Sequence, residues 1–332
     1  MQNLFNKRLI EATDIHSTYA QLWEIIKSEM LKGGKRIRPY LTMVGYGKYD
    51  DSIITVAVAQ ELIHLAMLIH DDIIDKDSFR RGSKNIIGNY KDIYSDNLTP
   101  AQTTHYANSA AMLAGDALIS EAFRCLTIYK TDNAKSQLLI EQLHRSIFEV
   151  IGGELMDMEA VFSSQDNFDP ISISQHKTAI YSFVVPLVSG AICSEADRNT
   201  INLLESIGIP LGIGFQLSDD LLGTLGDEKI TGKSTTTDLR EGKNTFLISQ
   251  YKKLMNKSEQ VFFEAVFGDN AALDKDLEKL KSLIKTSGAC EVTESAIAEY
   301  FKQALSQIEL LPNSIQRSEL KIFTDNLTKR KS

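Results

Sequence analysis

Proline and cysteine are both scarce, at 6 and 3 of 332 residues. So few prolines leave long helices uninterrupted. Three scattered cysteines, Cys125, Cys193 and Cys290, with no CxxC pair, exclude a disulfide framework and a thiolate-built metal site, and fit a reducing compartment. Positive charge is also short: 36 Lys and Arg stand against 44 Asp and Glu, a net charge of −8. That balance argues against a general nucleic-acid binder. No uninterrupted apolar run reaches the roughly 18 residues of a spanning helix. The stretch from Met1 to Arg8 lacks the apolar core of a signal peptide. The expectation is a cytoplasmic protein with no stable membrane insertion and no nucleic-acid partner.

What is present is a globular composition, 43% hydrophobic and 24% charged. Apolar residues recur at three and four positions, as in Leu22, Ile25, Ile26 and Met30, or Leu138, Leu139, Leu143, Ile147, Val150 and Ile151. This is the pattern of amphipathic helices, and strand alternation is hard to find. Long helices are expected around 52–77, 105–128, 134–162, 171–192, 198–225 and 244–267, with shorter ones to the C-terminus. Three polar segments, Ser83–Pro100, Ser163–Pro170 and Gly226–Asn244, are expected to be loops. No composition shift marks a boundary, so residues 1–332 read as one all-α domain.

Residues 70–77 read His-Asp-Asp-Ile-Ile-Asp-Lys-Asp. At about 100° per residue, His64, Asp71 and Asp75 share a narrow helix stripe, with Gln60 further back and Asp72 to one side. Carboxylates this close repel one another, and the C-terminal end of a helix is the wrong end for them. A hard divalent cation would compensate; magnesium suits a site with few protein ligands, because water and phosphate oxygens complete its shell. A second cluster, Phe215-Gln216-Leu217-Ser218-Asp219-Asp220, follows glycine-spaced apolar residues. Gly223 stands where a third carboxylate would repeat the first motif, and the next acid is Asp227. Together the clusters suggest two acidic walls facing across a helical cavity.

Cations gather elsewhere. Gly33-Gly34-Lys35-Arg36-Ile37-Arg38-Pro39 puts three beside a flexible Gly-Gly, suited to gripping a multiply charged anion. Arg80-Arg81-Gly82 follows the first acidic cluster and also reads as an ordinary helix C-cap. Lys177 lies near a helix start, and Lys233 and Lys243 lie in the 226–244 segment. Magnesium on one side and fixed cations on the other would hold a diphosphate, with apolar helices around something greasy.

These motifs resemble the trans-isoprenyl diphosphate synthase (polyprenyl synthetase) family. Its first aspartate-rich motif matches Asp71-Asp72-Ile73-Ile74-Asp75, followed by Arg80-Arg81-Gly82. The Gly-Gly-Lys-Arg-x-Arg-Pro signature lies at 33–39. Lys177-Thr178, the Leu-Ala-Gly-Asp run at 113–116, Gly153-Glu154, Phe215-Gln216 with Asp219-Asp220, Thr231-Gly232-Lys233 and Asp238-Leu239-Arg240-Glu241-Gly242-Lys243 complete it. The resemblance runs from about residue 30 to the C-terminal tail. It departs at Gly223, where the third aspartate is missing, and in the 83–102 stretch, which looks longer than the family's usual link.

The resemblance implies an isoprenoid synthase fold, a single helical domain around a central cavity, assembled as a homodimer. It implies a magnesium-dependent 1′-4 condensation of isopentenyl diphosphate with an allylic diphosphate, with three ions when substrate is bound. Asp71, Asp75 and Asp219 would be metal ligands, supported by Asp72 and Asp220. Arg80, Lys177, Lys233 and Lys243 would hold the allylic diphosphate. Lys35, Arg38, His64 and Arg81 would hold isopentenyl diphosphate. Gln216, next to the Lys177-Thr178 pair in the substrate set, would sit near the reacting carbons. No protein general base is visible. Residues five and four before the first aspartate, Ala66 and Met67, would set the floor of the product pocket. The small Ala66 disfavours farnesyl diphosphate as end product, so geranylgeranyl diphosphate or a longer all-trans chain is expected. A terpene cyclase would not need the Gly-Gly-Lys-Arg grip, and six histidines offer a phosphohydrolase few ligands. A non-catalytic subunit of a heteromeric synthase would show an eroded first motif, which is intact here.

Overall fold

The computed structural model describes residues 1–80, 82–162, 169–226 and 235–329. Within them the fold is all-α, as the periodicity predicts, apart from a two-stranded antiparallel hairpin of β1 (Phe79–Arg80) and β2 (Ser83–Lys84). The chain forms two compact units, residues 1–40 with 50–140 and residues 41–49 with 141–332.

In the first unit, α1 (Gln2–Ile15) pairs with α2 (Ser17–Leu31), and α4 (Ile54–Ile74) packs along α6 (Pro100–Ile128). The α2 stripe buries Leu22, Ile26 and Met30, while Trp23 packs its ring against Phe5 and Tyr19. Ala107, Ala111, Ala114 and Ala122 make the buried side of α6 thin, and α4 brings Val56, Leu62, Ile63 and Ile69 to the core. Burying each such large aliphatic side chain contributes about 1.5–3 kcal/mol.

The expected loop at 83–100 is a correction. It holds β2 and a nine-residue helix, α5 (Ile86–Tyr94), whose Ile86, Ile87 and Tyr90 are buried. Asn85 N-caps it by accepting from the Gly88 amide at 2.9 Å. Tyr90 and Tyr94 stack on each other and pack at a tilt against Tyr106 of α6. The apolar period was present, but too short to stand out among polar neighbours. The next helix starts at Pro100, earlier than 105, because Thr99 and Gln102 form a capping box with proline in the first turn.

The second unit is built around α10 (Arg198–Leu225), which packs against a segment made of α8 (Pro170–Ser174), a ten-residue π-helix (Gln175–Val184) and α9 (Val185–Cys193). The single expected helix over 171–192 therefore winds differently in its middle. Helix α3 (Ile37–Tyr46) begins in the first unit and ends in the second; α7 (Asn133–Phe162) does the same. The 226–244 loop contains a short helix, α11 (Thr237–Glu241), closed by Gly242 in the left-handed region. The expected helix over 244–267 is two, α12 (Phe246–Leu254) and α13 (Lys257–Val266), because Asn256 and Glu259 make a capping box that restarts the chain. Then come α14 (Asp274–Thr286), α15 (Ala289–Ile308) and α16 (Ser314–Thr328).

Two segments, Asp51–Ile74 and Pro170–Cys193, are long and apolar enough by composition to cross a membrane, although polar residues interrupt each. Within the fold, 56% and 89% of their apolar windows are buried, as in core helices.

Candidate active site

The first acidic motif closes α4. The helix ends at Ile74 and Asp75 takes the C-cap position. Asp72 is only 4% exposed, whereas Asp71 is part-exposed. Arg80 reaches back from β1: its Nε and Nη2 donate to Asp72 Oδ1 at 2.7 and 2.6 Å, and Nη2 lies 3.2 Å from Asp71 Oδ2. Arg80 is thus no helix cap. Burial pushes the Asp72 carboxyl up to about 6 even though Arg80 opposes the shift. Burial works against the Arg80 charge, but Asp72 and Asp71 outweigh it and hold its pKa above the ordinary value. Asn85, which caps α5, also hydrogen-bonds Asp72 and donates to the Asp77 carbonyl at 2.9 Å. The stretch between the hairpin and α6 therefore braces this motif.

The three-cation grip at 35–38 divides. Arg36, at φ +49, turns inward to pair with buried Glu61 and donate to the Met30 carbonyl. Lys35 is exposed and Arg38 half-buried. On α4, His64 and Met67 are half-buried and Ala66 is fully buried.

In the second unit, Lys177 lies in the first turn of the π-helix, and its Nζ bridges Glu154 at 2.9 Å and Asp157 at 2.5 Å, both on α7. Gly153 permits this: a Cβ there would sit 2.2 Å from the Lys177 backbone nitrogen. Thr178 donates to Gln216 Oε1 at 2.5 Å, and Gln216 Nε2 donates to Asp220 Oδ1 at 2.7 Å. Burial, then the charge of Asp238, with further contributions from Asp157 and Asp219, pushes Asp220 up to about 8. Lys243 lies 3.1 Å from Glu241 and 3.9 Å from Asp238. Arg81, Lys233 and Asp227 fall outside the described residues.

Sequence reasoning assigned no role to Asp157, Glu154 or Asp238. The first two were legible as an i,i+3 acidic pair next to Gly153, and Asp238 stood in a quoted motif.

The residues fit a divalent cation. Asp71 and Asp72 already draw a cation to themselves, and the crowding around Asp220 is what a divalent ion relieves. Among the described residues no three acidic, histidine or cysteine side chains could enclose an ion. Water and diphosphate oxygens would have to complete the shell, as magnesium prefers.

Without metal, Asp72 and Asp220 hold protons more readily in the folded chain than in the unfolded one. The folded state then binds more protons between about pH 4 and 8, so its stability falls as pH rises through that window. Asp220→Asn is expected to flatten the decline and raise the melting temperature of the metal-free protein at pH 8 by at least about 2–4 °C. A thermal denaturation series across pH checks this.

An almost wholly helical chain, with acids gathered near the ends of α4 and α10, Arg80 paired with the first group and Lys177 with Glu154 and Asp157 of α7, fits the all-α isoprenoid synthase class. A model of the polyprenyl synthetase family matches residues 20–284. The short chain isoprenyl diphosphate synthase of Methanocaldococcus jannaschii is 31% identical over 298 residues, covering 86% of this chain and 84% of that protein. The geranylgeranyl diphosphate synthase of Sulfolobus acidocaldarius is 29% identical over 321 residues, covering 92% and 91%. A crystal structure of geranylgeranyl pyrophosphate synthase from Corynebacterium glutamicum, complexed with isoprenyl diphosphate and magnesium, superimposes with a TM-score of 0.93 at 27% identity, covering 99% of this chain and 96% of that one. The chain belongs to the polyprenyl synthetase family and is a prenyltransferase.

Proposed function

We propose that the protein elongates all-trans prenyl diphosphates by 1′-4 condensation of isopentenyl diphosphate onto an allylic diphosphate, with geranylgeranyl diphosphate or a longer chain as product. The observation that carries this is a fixed cation held among acids in each unit, Arg80 by Asp71 and Asp72, and Lys177 by Glu154 and by Asp157, whose charge also bears on Asp220. Magnesium, three ions with substrate, would neutralise the leaving diphosphate, with Asp71, Asp75 and Asp219 as ligands. Arg80, Lys177, Lys233 and Lys243 would bind the allylic diphosphate, so that the charge developing on it meets positive groups. Lys35, Arg38, His64 and Arg81 hold isopentenyl diphosphate. Thr178 orients Gln216 through their hydrogen bond, and Asp72 positions Arg80.

The similarity along 20–284 supports one synthase domain formed by the chain as a whole. A homodimer is supported by a bare apolar stripe on α7, where Phe148, Ile151, Leu155 and Phe162 are 57–82% exposed. A cytoplasmic location is part of this reading and is supported by the charge of the diphosphate substrates.

Incubating the purified protein with magnesium, labelled isopentenyl diphosphate and each allylic primer, then separating the products, tests the reaction and gives the chain length. Absence of any elongated product refutes the proposal. Ala66→Phe is expected to shorten the product by at least one isoprene unit, read by the same chromatography. Because Ala66 is fully buried, the variant's melting temperature is measured alongside.

A further inference from the structure

Lys35 lies in the loop between α2 and α3, and Arg38 in the first turn of α3. That loop is held at both ends. At its start Lys32 pairs with Glu29 and donates to the Lys84 carbonyl of β2 at 2.6 Å. Gly33 and Gly34 then take φ +89 and +140, and Arg36 takes φ +49. Glycine tolerates such angles, whereas an arginine keeps one only where its surroundings hold it there. Here the hold comes from Glu61 of α4 and from the end of α2. Arg36 Nη1 donates to Glu61 Oε1, and Nη2 donates to the Met30 carbonyl. The Arg36 carbonyl in turn accepts from the Tyr40 amide at 3.1 Å, which starts α3. Glu61 is 4% exposed, and its second carboxylate oxygen is buried with no hydrogen-bond partner among the described residues. A carboxylate in that position depends on its cation. All of these residues lie in the first unit.

We propose that Glu61 is a positioning residue for isopentenyl diphosphate: through Arg36 it sets the loop that bears Lys35 and Arg38 against the helix turn that bears His64. This rests on the function proposed above, which gives those three side chains to that substrate. Arg36 is next to Lys35 and two residues before Arg38, while Glu61 is three residues before His64, one turn along α4. The ion pair therefore joins loop to helix within three residues of each of the three. An exposed pair could not do this, because water and salt screen it and its geometry wanders. With the acid out of water, the planar guanidinium is fixed between two acceptors, one on α4 and one on α2. An anion site set in advance loses little binding energy to ordering when substrate arrives. Glu61 itself need not touch the substrate.

The test is steady-state elongation by the whole protein with magnesium, varying isopentenyl diphosphate and the allylic primer in turn. The proteins compared are the wild type, Glu61→Leu, and Glu61→Leu with Arg36→Asn. Leucine fills the buried place without an acceptor, and asparagine tolerates the left-handed region better than most side chains. Glu61→Leu is expected to raise the KM for isopentenyl diphosphate about 10-fold or more, with kcat and the KM for the primer within about threefold of wild type. The double variant is expected to match Glu61→Leu within about threefold, because Glu61 acts through Arg36 and the second substitution has nothing left to remove. A smaller rise in the first KM, an equal rise in both KM values, or a further rise in the double variant overturns the assignment. Melting temperatures are measured on each. Should Glu61→Leu fail to fold, the double variant, which leaves neither charge of the pair behind, carries the same prediction for the two KM values. A wild-type protein that forms no elongated product overturns the proposed function itself, before any variant is compared.

Discussion

Asp71→Asn is expected to lower kcat about 1,000-fold while leaving the fold intact. Asp71 is part-exposed at the end of α4, and its one described ion pair is the 3.2 Å contact with Arg80, which is held more tightly by Asp72. Removing its charge costs little packing. It does remove a negative oxygen from the place where a divalent ion has to be held while a carbon–oxygen bond breaks. Losing a single preorganised electrostatic group of this kind commonly costs about 100- to 1,000-fold in turnover. Asparagine keeps the shape and removes the charge, so the effect isolates electrostatics. Steady-state rates at saturating magnesium, with circular dichroism as control, check it. Retention of activity within tenfold of wild type would remove Asp71 from the metal shell.

The second large effect is expected at Gly153. In Gly153→Ala the new methyl falls 2.2 Å from the Lys177 backbone nitrogen and 2.6 Å from the His176 carbonyl carbon. Both are main-chain atoms, so no side chain can rotate aside, and α7 and the π-helix have to separate. Overpacking of this kind costs about 1–3 kcal/mol and sometimes more. At about 2–4 °C per kcal/mol, the melting temperature should fall by about 2–12 °C. Activity should fall too, because Lys177 Nζ depends on that approach to reach Glu154 and Asp157. The neighbouring glycine is the control. A Cβ on Gly152 meets nothing among the described residues within 4 Å, so Gly152→Ala should leave stability unchanged or raise it by up to about 1 kcal/mol. Equal effects at the two positions would refute the close-approach argument.

The helices were readable wherever an apolar stripe ran for several turns, as at Arg198–Leu225, where the expected and observed limits coincide. The stripe failed as a guide where capping decided the outcome. Asn85 starts a helix inside a polar stretch, and Asn256 divides what the periodicity joined. A π-helical turn leaves no mark in hydropathy, because its altered phase comes from packing against α10 rather than from residue type. At the site, acidic and basic motifs were legible as motifs, but not how charges would be shared. Three cations at 35–38 read alike, yet Arg36 turns inward to Glu61, which lies buried 25 residues away. Asp157 and Asp238 went unassigned because neither lies in an aspartate pair. Their proximity to Lys177 and Asp220 exists only after α7 and α11 have folded back.

The π-helical winding of Gln175–Val184 acts as a phase shifter. Its i→i−5 bonds, such as Val185 N–H to Ile180 O, hold more chain per turn than an α-helix does. Excising one residue between Ala179 and Phe183 would let the backbone relax to ordinary helical bonding. Everything upstream would then turn by about 100° relative to α9. Lys177, aimed at α7, and Thr178, aimed at α10, would swing off target together. A poorer hydrogen-bond ladder thus sets the phase at which Lys177 meets α7 and Thr178 meets α10, while the flanking α-helical turns keep their own packing.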